Sequence, residues 1–178
     1  MENGQIEILK KKNMDATHLH LVLNHFPILG TLFGMGLLAY GIFGKNKSIQ
    51  KAALVLFVIV SLISIPAFLT GEGAEETVEH LPGVSESLIS EHEELAEKAI
   101  WLMGILGALS LLNLFFSIKH KSGAKILSII TLVVSLATFG VMVQVGNLGG
   151  QIRHTEIQKA SIEVVQPNNF EIEDEEED

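Results

Sequence analysis

An all-α, integral membrane four-helix bundle is the fold class this sequence predicts, and three observations predict it. Four stretches, residues 16–44, 52–71, 99–118 and 126–152, carry no Asp, Glu, Lys or Arg. Each reaches the roughly 20 residues that cross a hydrocarbon layer about 30 Å thick. The chain is 48% apolar and only 19% charged, and its charges gather between and beyond those stretches, where a soluble helical domain would scatter them. The charges also alternate by sign: two tight turns are purely basic, and every Asp and Glu lies in the N-terminal tail, in residues 72–98 or after Ile152.

That alternation predicts topology. Lys45, Lys47 and Lys51 mark the first turn, and Lys119, Lys121 and Lys125 the second. Positive-inside reasoning puts both in the cytoplasm, with both termini and the acidic loop outside. Lys10, Lys11 and Lys12 pull the other way, but an even number of spans keeps the termini together. The domain plan is a polar tail over 1–15, a four-span domain over 16–157, and an acidic tail over 158–178 whose composition predicts disorder. Spans are expected near 24–43, 52–71, 99–118 and 126–148.

Each span has its own local signals. In the first, Asn24-His25-Phe26-Pro27 suits a helix start, with Asn24 as the cap and proline in the first turn. Residues 14–23 then form either an interfacial segment or an extra helical stretch kinked at Pro27. Gly30 and Gly34 have the small-xxx-small spacing that lets helices approach in lipid. In the second span Pro66 should bend the helix near its outer end, with Ser61, Ser64 and Thr70 taking up freed backbone groups. The third helix is expected to begin before the membrane, near Ser87 or Ser90, because residues 91–98 are polar but helix-favouring. On the fourth, Gly140, Gln144, Asn147, Gln151 and His154 fall in one arc, a polar stripe leading outward that should face the bundle interior.

Several chemistries are excluded. There is no cysteine, hence no disulfide, thiolate ligand, iron–sulfur cluster or covalent c-type haem attachment. The net charge of −9 comes from tails and one loop, and no basic patch points to nucleic acid. No Gly-rich phosphate loop, serine elbow or zinc-protease signature is present. Without these motifs the chain reads as no enzyme on its own, and because the spans lack a buried acid or lysine to couple ions, a transporter is the weaker reading.

The constellation that remains is histidine. Six of seven fall on the acidic side: His18, His20, His25, His80, His92 and His154. Imidazole is a common metal ligand and the usual axial ligand of non-covalent haem in helical bundles. On a continuous first helix His18 and His25 share a face and His20 points away. His92 shares a face with Ala96, Ala99, Met103 and Ser110, and at 1.5 Å per residue stands ~10 Å above the nominal boundary, as does His154. His25, His92 and His154, from three helices, are therefore the candidate cofactor ligands, with Arg153 to pair a haem propionate. In the alternative of a divalent metal site, Glu93 or Glu156 completes a set with these histidines. A third alternative binds no cofactor and is a subunit or scaffold of a membrane complex.

The short motifs His25-Phe26-Pro27, Thr70-Gly71, His92, and Gly149-Gly150 followed by Arg153-His154 resemble those of a bacterial family of four-helix membrane domains of unknown function. The resemblance covers roughly residues 17–157. It implies a helical bundle in the bacterial plasma (inner) membrane, in a family whose relatives include fusions to c-type cytochrome modules. That association ranks b-type haem and electron exchange with a redox partner or another membrane subunit first among the functions expected.

Overall fold

The computed structural model describes residues 16–79, 81–82 and 84–153. Both tails, His80, His154 and Glu156 lie outside these residues. Among the described residues the chain is helical throughout apart from its turns. Helix α1 spans His25–Phe43, α2 Lys47–Leu69, α3 Gly71–Val78, α4 Glu86–Ile118 and α5 Ala124–Arg153. Four rods are long and apolar enough to cross a membrane: Ala16–Phe43, Lys47–Val78, Glu86–Ile118 and Ala124–Ile152.

The first rod is continuous, which corrects the role expected of Asn24. Its backbone is helical (φ −61°, ψ −25°) and its side chain makes no capping bond. Its N–H instead donates to the His20 carbonyl at 2.9 Å, joining α1 to a helical segment over 16–23. Helix α2 starts as its sequence suggests a helix should: Asn46 is extended, and its Oδ1 accepts from the N–H groups of Ser48 and Ile49, both at 3.1 Å. Pro66 sits inside α2, but the neighbouring hydroxyls do not serve the carbonyl it frees. Ser61 donates across to the Met103 carbonyl (2.7 Å), Ser64 to Ser61, and Thr70 to Pro66 itself (2.8 Å). Helix α4 begins at Glu86, one residue before Ser87.

Packing follows from periodicity. Buried residues recur every three or four positions: Thr31, Gly34, Leu38 and Gly41 on α1; Ala99, Met103, Leu106, Ser110 and Asn113 on α4; Ser128, Thr131, Ser135, Thr138 and Met142 on α5. This alternating spacing is the seam of a bundle whose helices lie nearly antiparallel. Helix α1 packs on α2 and α5, and so does α4, so α1 and α4 occupy opposite corners of a square.

The distribution of polarity agrees with four membrane-spanning rods. Thr31, Ser110, Asn113, Thr131, Ser135 and Thr138 are wholly buried, whereas Leu62, Ile126, Val133 and Leu136 are each more than 60% exposed. In water such a surface would be one large apolar patch. In lipid it is the expected arrangement, because small and hydroxyl residues let helices approach and large aliphatics face acyl chains. The buried hydroxyls of α5 need no partner on another helix. Thr131, Ser135 and Thr138 donate to the carbonyls of Leu127, Leu132 and Val134 at 2.7–2.8 Å.

Four rods joined by two short turns and one longer segment place both lysine turns at one end and residues 70–85 at the other. These are called here the lysine end and the acidic end. Near the lysine end Gln50 Nε2 donates to the Gly41 carbonyl (2.8 Å), and Gln50 Oε1 meets Ser128 Oγ at 3.4 Å. Asn113 completes this buried cluster: its amide nitrogen donates to the Ala124 carbonyl and its oxygen accepts from Ser128, each at 3.1 Å.

Candidate functional site

The charge-free stretch of α4 begins at Ala99, yet the helix starts at Glu86, so more than three turns stand beyond the apolar layer at the acidic end. The last turns of α5 pack against that overhang, and the helical segment over 16–23 and α3 stand at the same end. Two histidines at this end, His20 on the first rod and His92 on α4, lie at matching positions on opposite corners of the bundle.

The register between α1 and α4 is set deeper in the core, where Thr31 Oγ1 touches Met103 Sδ at 3.7 Å. His20 lies eleven residues before Thr31, and His92 eleven before Met103. Eleven residues make about three helical turns, ~16 Å, so both histidines rise on the inward faces of their helices to one level. They are close enough for the charge of one to act on the other.

Each ring is fixed in the same way. His20 Nδ1 lies 2.8 Å from the Ala67 carbonyl on α2, and His92 Nδ1 lies 3.1 Å from the Val145 carbonyl on α5. A carbonyl oxygen only accepts, so both Nδ1 atoms carry the proton and, in the neutral ring, both Nε2 atoms present a lone pair. Each ring also rests on a glycine of the helix it bonds to or continues into. A Cβ at Gly71 would stand 3.7 Å from His20 Cε1, and one at Gly149 would stand 3.2 Å from His92 Cε1. One turn below His20 on the same face, Asn24 Oδ1 is buried with no hydrogen-bond partner among the described residues. Above the histidines Thr17 Oγ1 bonds Thr77 Oγ1 (2.9 Å) and reaches the Gly73 carbonyl, holding residue 17 against α3. Glu75, half-buried on α3, lies within electrostatic reach of Glu93 on α4.

The residues expected at the site are distributed as follows. His92 is there, half-buried, on the face it shares with buried Ala99, Met103 and Ser110. His25 and His18 share an outward face and are exposed; His25 Nδ1 bonds the Leu21 carbonyl of its own helix at 3.1 Å. Glu93 is exposed beside the rim. Arg153 ends α5 one turn beyond Gly149, while His154 and Glu156 lie outside the described residues. Among the described residues no three His, Asp or Glu side chains converge as they would around a metal ion.

His20 is the residue that sequence reasoning set aside, and a signal for it existed. The buried seam of α1 contains Pro27, Thr31, Gly34, Leu38 and Gly41. Continued backwards by seven residues from Pro27, it falls on His20, and from Thr31 on Asn24. The polar stripe of α5 needs the opposite correction. Gln144 and Asn147 are exposed and line a shallow cleft with Leu88, Glu91 and Leu95. The physical reason is depth: the bond from His92 to Val145 sets these amides level with the charged overhang of α4, outside the apolar layer, so nothing drives them inward.

No protein-family model, curated protein or solved structure matches this chain.

Proposed function

We propose that this protein is an electron-transfer component of a membrane that would hold a b-type haem at the acidic end of its bundle, with His20 and His92 as the residues that would ligate it. The observation that carries the reading is the shared tautomer: two imidazoles, level with each other on opposite helices, each give Nδ1–H to a carbonyl and, among the described residues, leave Nε2 without a partner. Histidine ligands characteristically hold their second nitrogen in such a bond, which orients the ring and raises its basicity. Haem iron, when bound, supplies one-electron chemistry, and the bundle tunes its potential through axial ligands and burial.

The chain's own residues fit such a group in three further respects. Gly149 lets the His92 ring lie against the backbone of α5, where an added Cβ would crowd it at 3.2 Å, and one at Gly71 would stand in ordinary contact with the His20 ring. Asn24 offers an amide with an unused hydrogen-bonding atom directly below. Arg153, the residue the sequence offers for a propionate, ends α5 one turn past Gly149. The resemblance to bacterial four-span domains that occur fused to c-type cytochromes points the same way. In this reading His92 keeps the role its sequence suggested, and His20 takes the position expected of His25 or His154.

The test is the visible spectrum of protein purified in detergent from cells supplied with haem. A Soret band and a sharp reduced α-band are expected, lost or converted to a five-coordinate spectrum in His20→Ala and in His92→Ala, and unchanged in His18→Ala and His25→Ala. No Soret band in the wild type, or equal spectra in all four variants, overturns the reading.

A further inference from the structure

The face between α2 and α4 carries a groove unrelated to the histidines. It is about 570 Å³ and is lined by Ser61, Ile65 and Phe68 on α2 and by Ile100, Trp101 and Gly104 on α4, with Glu93, Glu94 and Glu97 at its mouth. Helical spacing makes this one stripe: Glu93, Glu97, Trp101 and Gly104 follow one another at intervals of three or four down α4. The floor is open at Gly104, where an added Cβ would meet nothing within 4 Å. One turn further down, a Cβ at Gly107 would run into Ser61, so there the two helices close and the groove ends.

Its polarity is graded along the membrane normal. Ile100, Trp101 and Gly104 lie just inside the charge-free stretch that begins at Ala99, and the glutamates lie just above it. Glu94 pairs with Lys98 at 3.9 Å, whereas Glu93 and Glu97 have no cation partner among the described residues, and Glu75 adds a further carboxylate near Glu93. An apolar slot that faces acyl chains and opens beneath a cluster of carboxylates is complementary to an amphiphile with an apolar chain and a cationic head. The indole of Trp101, exposed beside the mouth, adds an aromatic face to which a cation is attracted.

We infer that this groove is a binding site for a lipid with a positively charged headgroup, its chain on Gly104 and its head between Glu93 and Glu97. A phosphate-headed anionic lipid meets like charge at the same mouth and is disfavoured.

Trp101 is the chain's only tryptophan, so its fluorescence reports on the groove. The full chain is reconstituted in phosphatidylcholine vesicles containing a small fraction of brominated-chain lipid with an ammonium-propane, a phosphocholine or a phosphoglycerol head. The cationic probe is expected to quench Trp101 several-fold more strongly, mole for mole, than the phosphoglycerol probe. Glu93→Gln with Glu97→Gln should equalise the probes, and Gly104→Leu should weaken quenching by the cationic probe. Glu72→Gln with Glu79→Gln, which removes charge at the acidic end without touching the groove, should keep the preference. Equal quenching by all heads in the wild type, or a preference lost with Glu72 and Glu79 and kept without Glu93 and Glu97, overturns the inference.

Discussion

Gly41 shows how tightly single residues set the approach of these helices. A Cβ there would lie 2.9 Å from the Gln50 backbone nitrogen and 3.2 Å from the Asn46 carbonyl oxygen, atoms that cannot swing aside. Gly36, on the same helix, would meet nothing within 4 Å. Gly41→Ala should therefore destabilise the protein by about 1–3 kcal/mol, as overpacking does, while Gly36→Ala should stay within about 0.5 kcal/mol of wild type. Unfolding titrations in mixed micelles would separate the two, and equal midpoints would show that the α1–α2 contact is looser than described. The same residue-level logic explains the histidines. Composition draws attention to all seven, but what distinguishes His20 and His92 is a carbonyl on a neighbouring helix within hydrogen-bond distance of each ring. His25 finds its carbonyl on its own helix and stays outside.

At the scale of elements, the hairpin between α1 and α2 depends on the start of α2. Asn46 satisfies two of the N–H groups that any helix leaves open at its N-terminus, beside a residue, Lys45, held at φ 52°. Asn46→Ala should cost about 1 kcal/mol, measurable in the same micelle titration, and Asn46→Ser should restore most of it. No difference between alanine and serine would mean that water replaces the cap at this level of the membrane. Helix α4 shows the other use of an element, since its span and its overhang have different tasks. Residues from Ala99 onward pack in the apolar layer, while those before it carry His92 into the rim and Glu93 and Glu97 to the mouth of the groove. Its polar start was legible as helix from residues 91–98 because those side chains favour helix without favouring lipid.

Seen whole, the molecule buries hydroxyls and glycines beside an apolar core of Leu38, Leu54, Phe57, Met103 and Leu106, and carries large aliphatics on its surface as well. That surface suits acyl chains, and the order of rods and turns fixes which ends share a side. Because the chain has no cysteine, single cysteines introduced at Lys47, Ser122 and Glu79 would each be unique labels. An impermeant maleimide applied to oriented membranes should modify Lys47→Cys and Ser122→Cys from one side and Glu79→Cys from the other. Labelling of all three from one side would dismantle the four-span topology and with it the facing histidines.

The amino-acid sequence by itself determined the number of spans, their approximate limits and the alternation of basic turns with an acidic segment. These follow from charge and length, which act one helix at a time and need no partner. It also marked the acidic end as the place where imidazoles gather. Only the tertiary structure decided which of them meet, because that depends on the rotation of each helix about its axis and the register between helices. The seam of α1 turns His20 inward and His25 outward, and the Thr31–Met103 contact brings His20 level with His92 across the square. Rotation and register arise from side chains of separate segments fitting together, a property that no single stretch of the chain contains.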